Sequence, residues 1–199
     1  MGRIGIFGGS FNPIHCGHVA FACELCQSGL VDELWMLVSP LNPLKKGNTD
    51  IADFDTRMDM ARLALKDDAQ IKVSDFEASL PIPSYTYTTL HALAEAHPDE
   101  EFYLVIGADN WLQFGNWYRG DDIIKEFHIL MYARPGCDID VETLPPSVTL
   151  VNTHQYDISS TLVRQRAANG LSLSGLVPPE VEDYIIAKGL YKLPSLLEP

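Results

Sequence analysis

The sequence predicts an α/β fold: a doubly wound parallel sheet covered on both faces by helices. Three observations carry this reading. Short apolar runs such as Ile4 to Phe7, Leu34 to Val38 and Phe102 to Ile106 have the composition of buried strands. They alternate with longer stretches of helical periodicity, and strand–helix–strand alternation argues for a parallel sheet. The 199 residues suffice to bury a sizeable core and need no second unit, so residues 1–199 are read as one domain.

Taken in order, Ile4 to Phe7 forms the first strand and stops at Gly8 and Gly9. Those glycines are expected to turn the backbone tightly and to let it approach a ligand without Cβ interference. A helix over Cys16 to Gln27 follows, with His15 and His18 at or inside its first turn. Spaced by three, the two imidazoles share one helix face. A helix N-terminus at the end of a strand offers unpaired N–H groups and partial positive charge, which suits phosphate. The alternative is that one histidine caps the helix and the other packs on the sheet.

Leu34 to Val38 is the second strand. Pro40, Pro43 and Gly47 make the segment after it a loop, on which Lys45 and Lys46 ride. Phe54, Met58, Ala61 and Leu65 make the stripe of an amphipathic helix. Asp53 and Asp55 near its start favour the helix dipole, and Arg57 is read as structural. Ile71 to Val73 is a third strand; a helix then opens after Ser84 and is ended by Pro98. Phe102 to Ile106 runs into Gly107 and Asp109, a carboxylate placed either to cap a helix or to hold a ribose beyond a strand end. For Phe114, Trp117 and Tyr118 core packing is the alternative to a ligand role. Phe127 to Tyr132 and Val148 to Val151 are the last strands, separated by an acidic, proline-bearing surface stretch. Ser159, Ser160 and Thr161 put hydroxyls where N-caps belong, ahead of a helix reaching about Asn169. Arg164 lies four residues after Ser160 on that helix, and Pro178 to Lys188 is the final one.

Composition excludes several classes. A net charge of −13 argues against nucleic-acid binding, which depends on basic clusters. No apolar run approaches the roughly 20 residues of a membrane span, and the N-terminus lacks a signal-peptide layout, so the chain is read as cytoplasmic with no membrane partner. Four cysteines at 16, 23, 26 and 137 do not make a disulfide framework. Cys23 and Cys26 have zinc half-site spacing but no second pair. A zinc module built from them with His15, Cys16 and His18 is the rival from another class. A nicotinamide-dependent dehydrogenase is disfavoured, because Gly5, Gly8 and Gly9 do not make Gly-x-Gly-x-x-Gly and the second strand ends in Val38 and Ser39 without an acid.

The run Gly8-Gly9-Ser10-Phe11-Asn12-Pro13-Ile14-His15-Cys16-Gly17-His18 resembles the first signature of the nucleotidyltransferase superfamily, and Ile158-Ser159-Ser160-Thr161-Leu162-Val163-Arg164 resembles its second. The residues between them resemble bacterial nicotinate-nucleotide adenylyltransferase, and the likeness runs from Arg3 to about Tyr191. It implies a Rossmann-like sheet of nucleotidyltransferase type and transfer of AMP from ATP to nicotinate mononucleotide, with Mg²⁺ accompanying ATP and no side-chain metal site. By the same resemblance His15, His18, Lys46 and Arg164 act on the phosphates. ATP is contacted by Gly8, Gly9, Ser10, Phe11, Gly107, Asp109, Arg134, Ser160 and Thr161. Trp117 stacks on the nicotinate ring, whose carboxylate meets backbone N–H groups near Thr86 and Tyr118. Thr88 departs from the pattern, standing where the family has an acid. Pantetheine phosphate and nicotinamide mononucleotide are the neighbouring acceptors within the superfamily, and the residues alone leave acid against amide, and assembly into a homo-oligomer, open.

Overall fold

The computed structural model describes residues 1–40 and 51–192. Six strands form one all-parallel sheet in the order β3-β2-β1-β4-β5-β6. They are β1 (Gly2–Gly9), β2 (Glu33–Val38), β3 (Ile71–Ser74), β4 (Glu100–Gly107), β5 (His128–Tyr132) and β6 (Val148–Val151). The chain winds outward from β1 to β3, then returns to lay β4 on the other side of β1. This reversal leaves a crevice at the carboxyl ends of β1 and β4, the place where doubly wound sheets hold ligands.

Seven helices are described: α1 (Cys16–Gln27), α2 (Phe54–Leu65), α3 (Thr86–Ala96), α4 (Ala108–Trp111), α5 (Gly120–Glu126), α6 (Ser160–Ala168) and α7 (Pro179–Lys188). Alternate residues of each central strand serve opposite faces, as a period of two requires. Ile4 and Ile6 of β1, with Phe102, Leu104 and Ile106 of β4, pack against α3 and α5 through Leu90, Leu93 and Ile123. Phe7 and Val105 turn to the other face, where Phe21 and Leu25 of α1, Met58 and Ala61 of α2, Val163 of α6 and Ile185 of α7 meet them. The predicted α1 matches in both bounds, and Asp53 caps α2 by accepting from Thr56 N–H. Periodicity did not announce α4 or α5, which are short, nor the 3-10 turn at Phe76–Ser79.

The predicted turn at Gly8 and Gly9 is corrected. Both residues are paired within β1, opposite Leu37 and Val38. The chain turns instead at Phe11, whose φ is +44°, next to a cis Asn12–Pro13 bond. Glycine is needed in β1 for other reasons. A Cβ on Gly9 would stand 2.9 Å from the buried Phe11 ring, whereas one on Gly8 would meet nothing within 4 Å and project into the crevice.

Arg57 is structural, as read. It is almost wholly buried and donates to Ser10 O and Ser39 O at 2.8 Å, to Ala52 O at 2.9 Å and to Pro40 O at 3.3 Å. One guanidinium thus ties the loops after β1 and β2 to the start of α2, and its planar fork of donors suits that task.

Candidate active site

A cavity of about 480 Å³ opens at the carboxyl ends of the central strands. From the end of β1 it is lined by Gly8, Gly9, Ser10, Phe11, His15 and His18. Gly107 and Asp109 enter it from the end of β4, and Arg134 from the turn after β5. Thr86, Trp117 and Tyr118 line the α3 side, and Ser160 and Arg164 close it from the start of α6. Thr161 lies outside this wall, exposed, its hydroxyl accepting from Arg164 at 3.3 Å. Lys45 and Lys46 lie outside the described residues.

The two histidines make a reciprocal cap on α1. His15 Nδ1 accepts from His18 N–H at 3.3 Å and His18 Nδ1 accepts from His15 N–H at 3.2 Å. The rings stack with centroids 3.6 Å apart. A ring that accepts at Nδ1 from a backbone N–H carries its proton on Nε2 when neutral. The cap therefore sets the tautomer of both imidazoles. Burial, reinforced by the positive charge of Arg134, lowers the His15 pKa to about 4, so this ring is neutral at physiological pH. The cap, one of the two alternatives read in the sequence, is thus present and uses the Nδ1 nitrogen of each ring. Burial pushes the Cys16 thiol up, the opposite of what a nucleophile needs.

Around this pair the cationic groups are placed by backbone. Arg164 donates to Asn12 O at 2.9 Å, and the Ser160 hydroxyl donates to Pro13 O at 2.9 Å, so the start of α6 is pinned to the turn after β1. Ser159, not Ser160, is the N-cap, accepting from Leu162 N–H. Arg134 Nε stands 3.5 Å from Asp109 Oδ1, an ionic contact without hydrogen-bond alignment, while Nη2 donates to Tyr132 Oη at 3.2 Å. Asp109 sits in the first turn of α4 and makes no cap bond. A Cβ on Gly107 would strike Asp109 and approach Arg134 Nε to 3.1 Å, so glycine there lets this pair close over the strand end.

On the α3 side Trp117 packs on Phe114 with centroids 4.9 Å apart, and its Nε1 is buried with no hydrogen-bond partner among the described residues. The Ser84 hydroxyl, on the cavity wall, is likewise buried with no partner among the described residues. Glu77 is a wall residue that sequence reasoning missed. It is buried, accepts from the Thr89 hydroxyl at 2.9 Å and from Ser39, and burial pushes its carboxyl up. A lone acid after β3 carries no motif; only the 3-10 turn brings it to the crevice. Asn12 was also missed as an anchor, its Oδ1 accepting from Ala52 N–H at 3.0 Å and from Tyr191 Oη at 2.9 Å.

Residues 6–166 match the family model described as Cytidylyltransferase-like. The chain is 44% identical over 183 residues to a protein of Bacteroides thetaiotaomicron named probable nicotinate-nucleotide adenylyltransferase, covering 92% of this chain and 90% of that one. The chain belongs to the nicotinate-nucleotide adenylyltransferase family. A further member, from Cytophaga hutchinsonii and also named probable, is 37% identical with 95% and 98% covered. The fold agrees with that of this family: the Plasmodium falciparum nicotinic acid mononucleotide adenylyltransferase complexed with NaAD superposes with a TM-score of 0.83 over 96% of this chain and 98% of its own, at 24% identity. At that identity the likeness speaks to the fold. No helix among the described residues is long and apolar enough to cross a membrane.

Proposed function

We infer that the protein transfers AMP from ATP to the phosphate of nicotinate mononucleotide, giving deamido-NAD and pyrophosphate as a step of NAD biosynthesis. Family membership supports the reaction, and the reciprocal cap of His15 and His18 is the observation that carries the mechanism. It holds two Nε2–H donors, side by side, at the strand end where an anionic ligand meets a helix N-terminus.

The acceptor phosphate is already a nucleophile, so no strong base and no covalent enzyme intermediate are required. One of its oxygens bonds to the α-phosphorus of ATP while the bond to the bridging oxygen breaks and pyrophosphate leaves. The protein's task is alignment, worth up to about 7–11 kcal/mol in favourable cases, and stabilisation of charge as it shifts. His15 and His18 donate to the phosphate oxygens. Gly8 and Gly9 let backbone approach them, with Ser10 and Phe11 shaping the turn. Lys46, Ser160, Thr161 and Arg164 hold the polyphosphate, and Mg²⁺ arrives as part of the ATP substrate, bound by phosphate oxygens and water. Gly107 and Asp109 take the ribose of the adenosine and the turn at Arg134 its base. Trp117 stacks on the pyridine ring while backbone N–H groups near Thr86 and Tyr118 receive the carboxylate. ATP as a substrate accords with the cytoplasmic location read from the sequence, and the one-domain reading of residues 1–199 with a site assembled from a single sheet.

The test is to incubate the protein with ATP, Mg²⁺ and a panel of phosphate acceptors and to identify the adenylylated product. A donor-only pocket satisfies a carboxylate, whereas an amide turns its own N–H₂ toward a donor, at about 1–3 kcal/mol per unsatisfied group. Nicotinate mononucleotide should therefore exceed the nicotinamide form in kcat/KM by about tenfold or more. A ratio near one refutes the pocket, and adenylylation of pantetheine phosphate in preference to both refutes the reaction.

A further inference from the structure

Between β6 and α6 the chain from Asn152 to Ile158 has no regular structure, yet it forms one wall of a small recess beside His15 and His18, opposite Tyr132 and Arg134. A single carboxylate on α1 holds it. Glu24 Oε2 accepts from His154 N–H at 2.9 Å, and Oε1 accepts from the Tyr156 hydroxyl and contacts His154 Nδ1 at 2.7 Å. Two oxygens thus meet three groups drawn from two residues, His154 and Tyr156, which a carboxylate can do and a lone carbonyl cannot do as well. Glu24 is two turns beyond Gly17 on the same helix face. At Gly17 a Cβ would stand 3.1 Å from Tyr156 Cβ and 3.1 Å from the His15 ring. Tyr156 therefore lies along α1, its root on the glycine between the two histidines and its hydroxyl on Glu24. Although burial pushes the Glu24 carboxyl up, the Tyr156 and His154 donors outweigh it and hold the group below the usual range.

We propose that Glu24 is a positioning residue for the adenylyl donor: it straps residues 153–156 across the first turns of α1 and so builds the wall of the ATP half of the site without touching the reacting atoms. The proposal rests on the reading above that the Arg134 side of the cleft takes the base of ATP. With Glu24 intact the wall is formed before ATP arrives. Without it, ATP binding must order the segment itself, and the ordering cost falls on ATP affinity alone. The nicotinate side, lined by α3 and Trp117, is built from other elements and keeps its affinity.

The experiment compares wild type with Glu24→Ala, Glu24→Gln and Tyr156→Phe, measuring KM for each substrate, kcat, thermal stability, and amide hydrogen exchange across residues 152–158 with and without ATP. The expected result for Glu24→Ala is a KM for ATP raised about tenfold, with KM for nicotinate mononucleotide and kcat within about twofold. Exchange in 152–158 should quicken in the free protein and slow again when ATP is added. Glu24→Gln, which turns a donor toward donors, should fall between the alanine variant and wild type, and Tyr156→Phe, which loses one hydroxyl, should be milder still. Unchanged KM for ATP with unchanged exchange overturns the proposal. So does a parallel rise in both KM values with lower kcat and lower melting temperature, the mark of a merely structural residue. If wild type makes no deamido-NAD, the assigned reaction fails by itself, and exchange with ATP alone still decides the role of Glu24.

Discussion

Gly8 and Gly9 adjoin in sequence and in β1, yet substitution should harm the protein through different routes. In Gly8→Ala the added methyl meets no protein atom within 4 Å and points into the cavity. Replacing a strand glycine removes backbone freedom from the unfolded chain, a gain of roughly 0.5–1 kcal/mol. If a phosphate lies against this backbone, the methyl displaces it by on the order of 1 Å, and a misplacement of that size costs about 10²-fold in rate. In Gly9→Ala the methyl instead lands 2.9 to 3.1 Å from three atoms of the Phe11 ring, itself packed edge-on to Phe7 at 5.7 Å and to His18 at 5.1 Å. Overpacking of that kind costs about 1–3 kcal/mol, which for a chain of this size lowers Tm by very roughly 2–12 °C. Melting curves and kcat/KM on both variants test this pairing. The expectation is a stable, nearly inactive Gly8→Ala and a destabilised Gly9→Ala. A Gly8→Ala enzyme with wild-type kcat/KM would show that no ligand approaches this backbone, and would remove the reason given for glycine at that position.

The depressed His15 pKa makes stability pH-dependent. Between about 4 in the folded state and the ordinary 6.5 of the unfolded chain, only the unfolded state binds the proton, so stability is full above about 6.5 and falls as pH drops toward 4. The shift corresponds to about 3 kcal/mol across that window. His15→Asn keeps a cap acceptor but cannot titrate, so urea denaturation at a series of pH values should show the difference between the two proteins shrinking on acidification; a constant difference would mean that burial does not hold this ring neutral. Arg57→Met leaves the buried carbonyls of Ser10 and Ser39 without donors, at about 1–3 kcal/mol each. Denaturant midpoints should fall accordingly with an unchanged m-value, and a loss under about 1 kcal/mol would refute the role of Arg57 as the tie between these loops.

Much of the molecule is local chemistry, and that part was legible in the sequence. The apolar runs, the acids at the start of α2, the hydroxyls of Ser159 to Thr161 ahead of α6 and the i, i+3 spacing of His15 and His18 each depend on residues a turn or so apart. They gave the succession of strands and helices along the chain, the bounds of α1, the apolar stripe of α2, and the placing of the two signatures at helix starts. The resemblance extended this to further residues, most of which, though not Thr161, line one cavity among the described residues. Tertiary structure alone decided the rest, because the groups concerned find partners far along the chain. Arg57 meets carbonyls 47 and 18 residues away, and Glu24 meets donors 130 and 132 residues away. Glu77 reaches the crevice only through a turn too short to show a period. The turn expected at Gly8 and Gly9 moved to Phe11 for a related reason: pairing with β2 holds both glycines extended, and packing of the Phe11 ring against Phe7 and His18 accompanies a left-handed backbone that no local preference of phenylalanine would select.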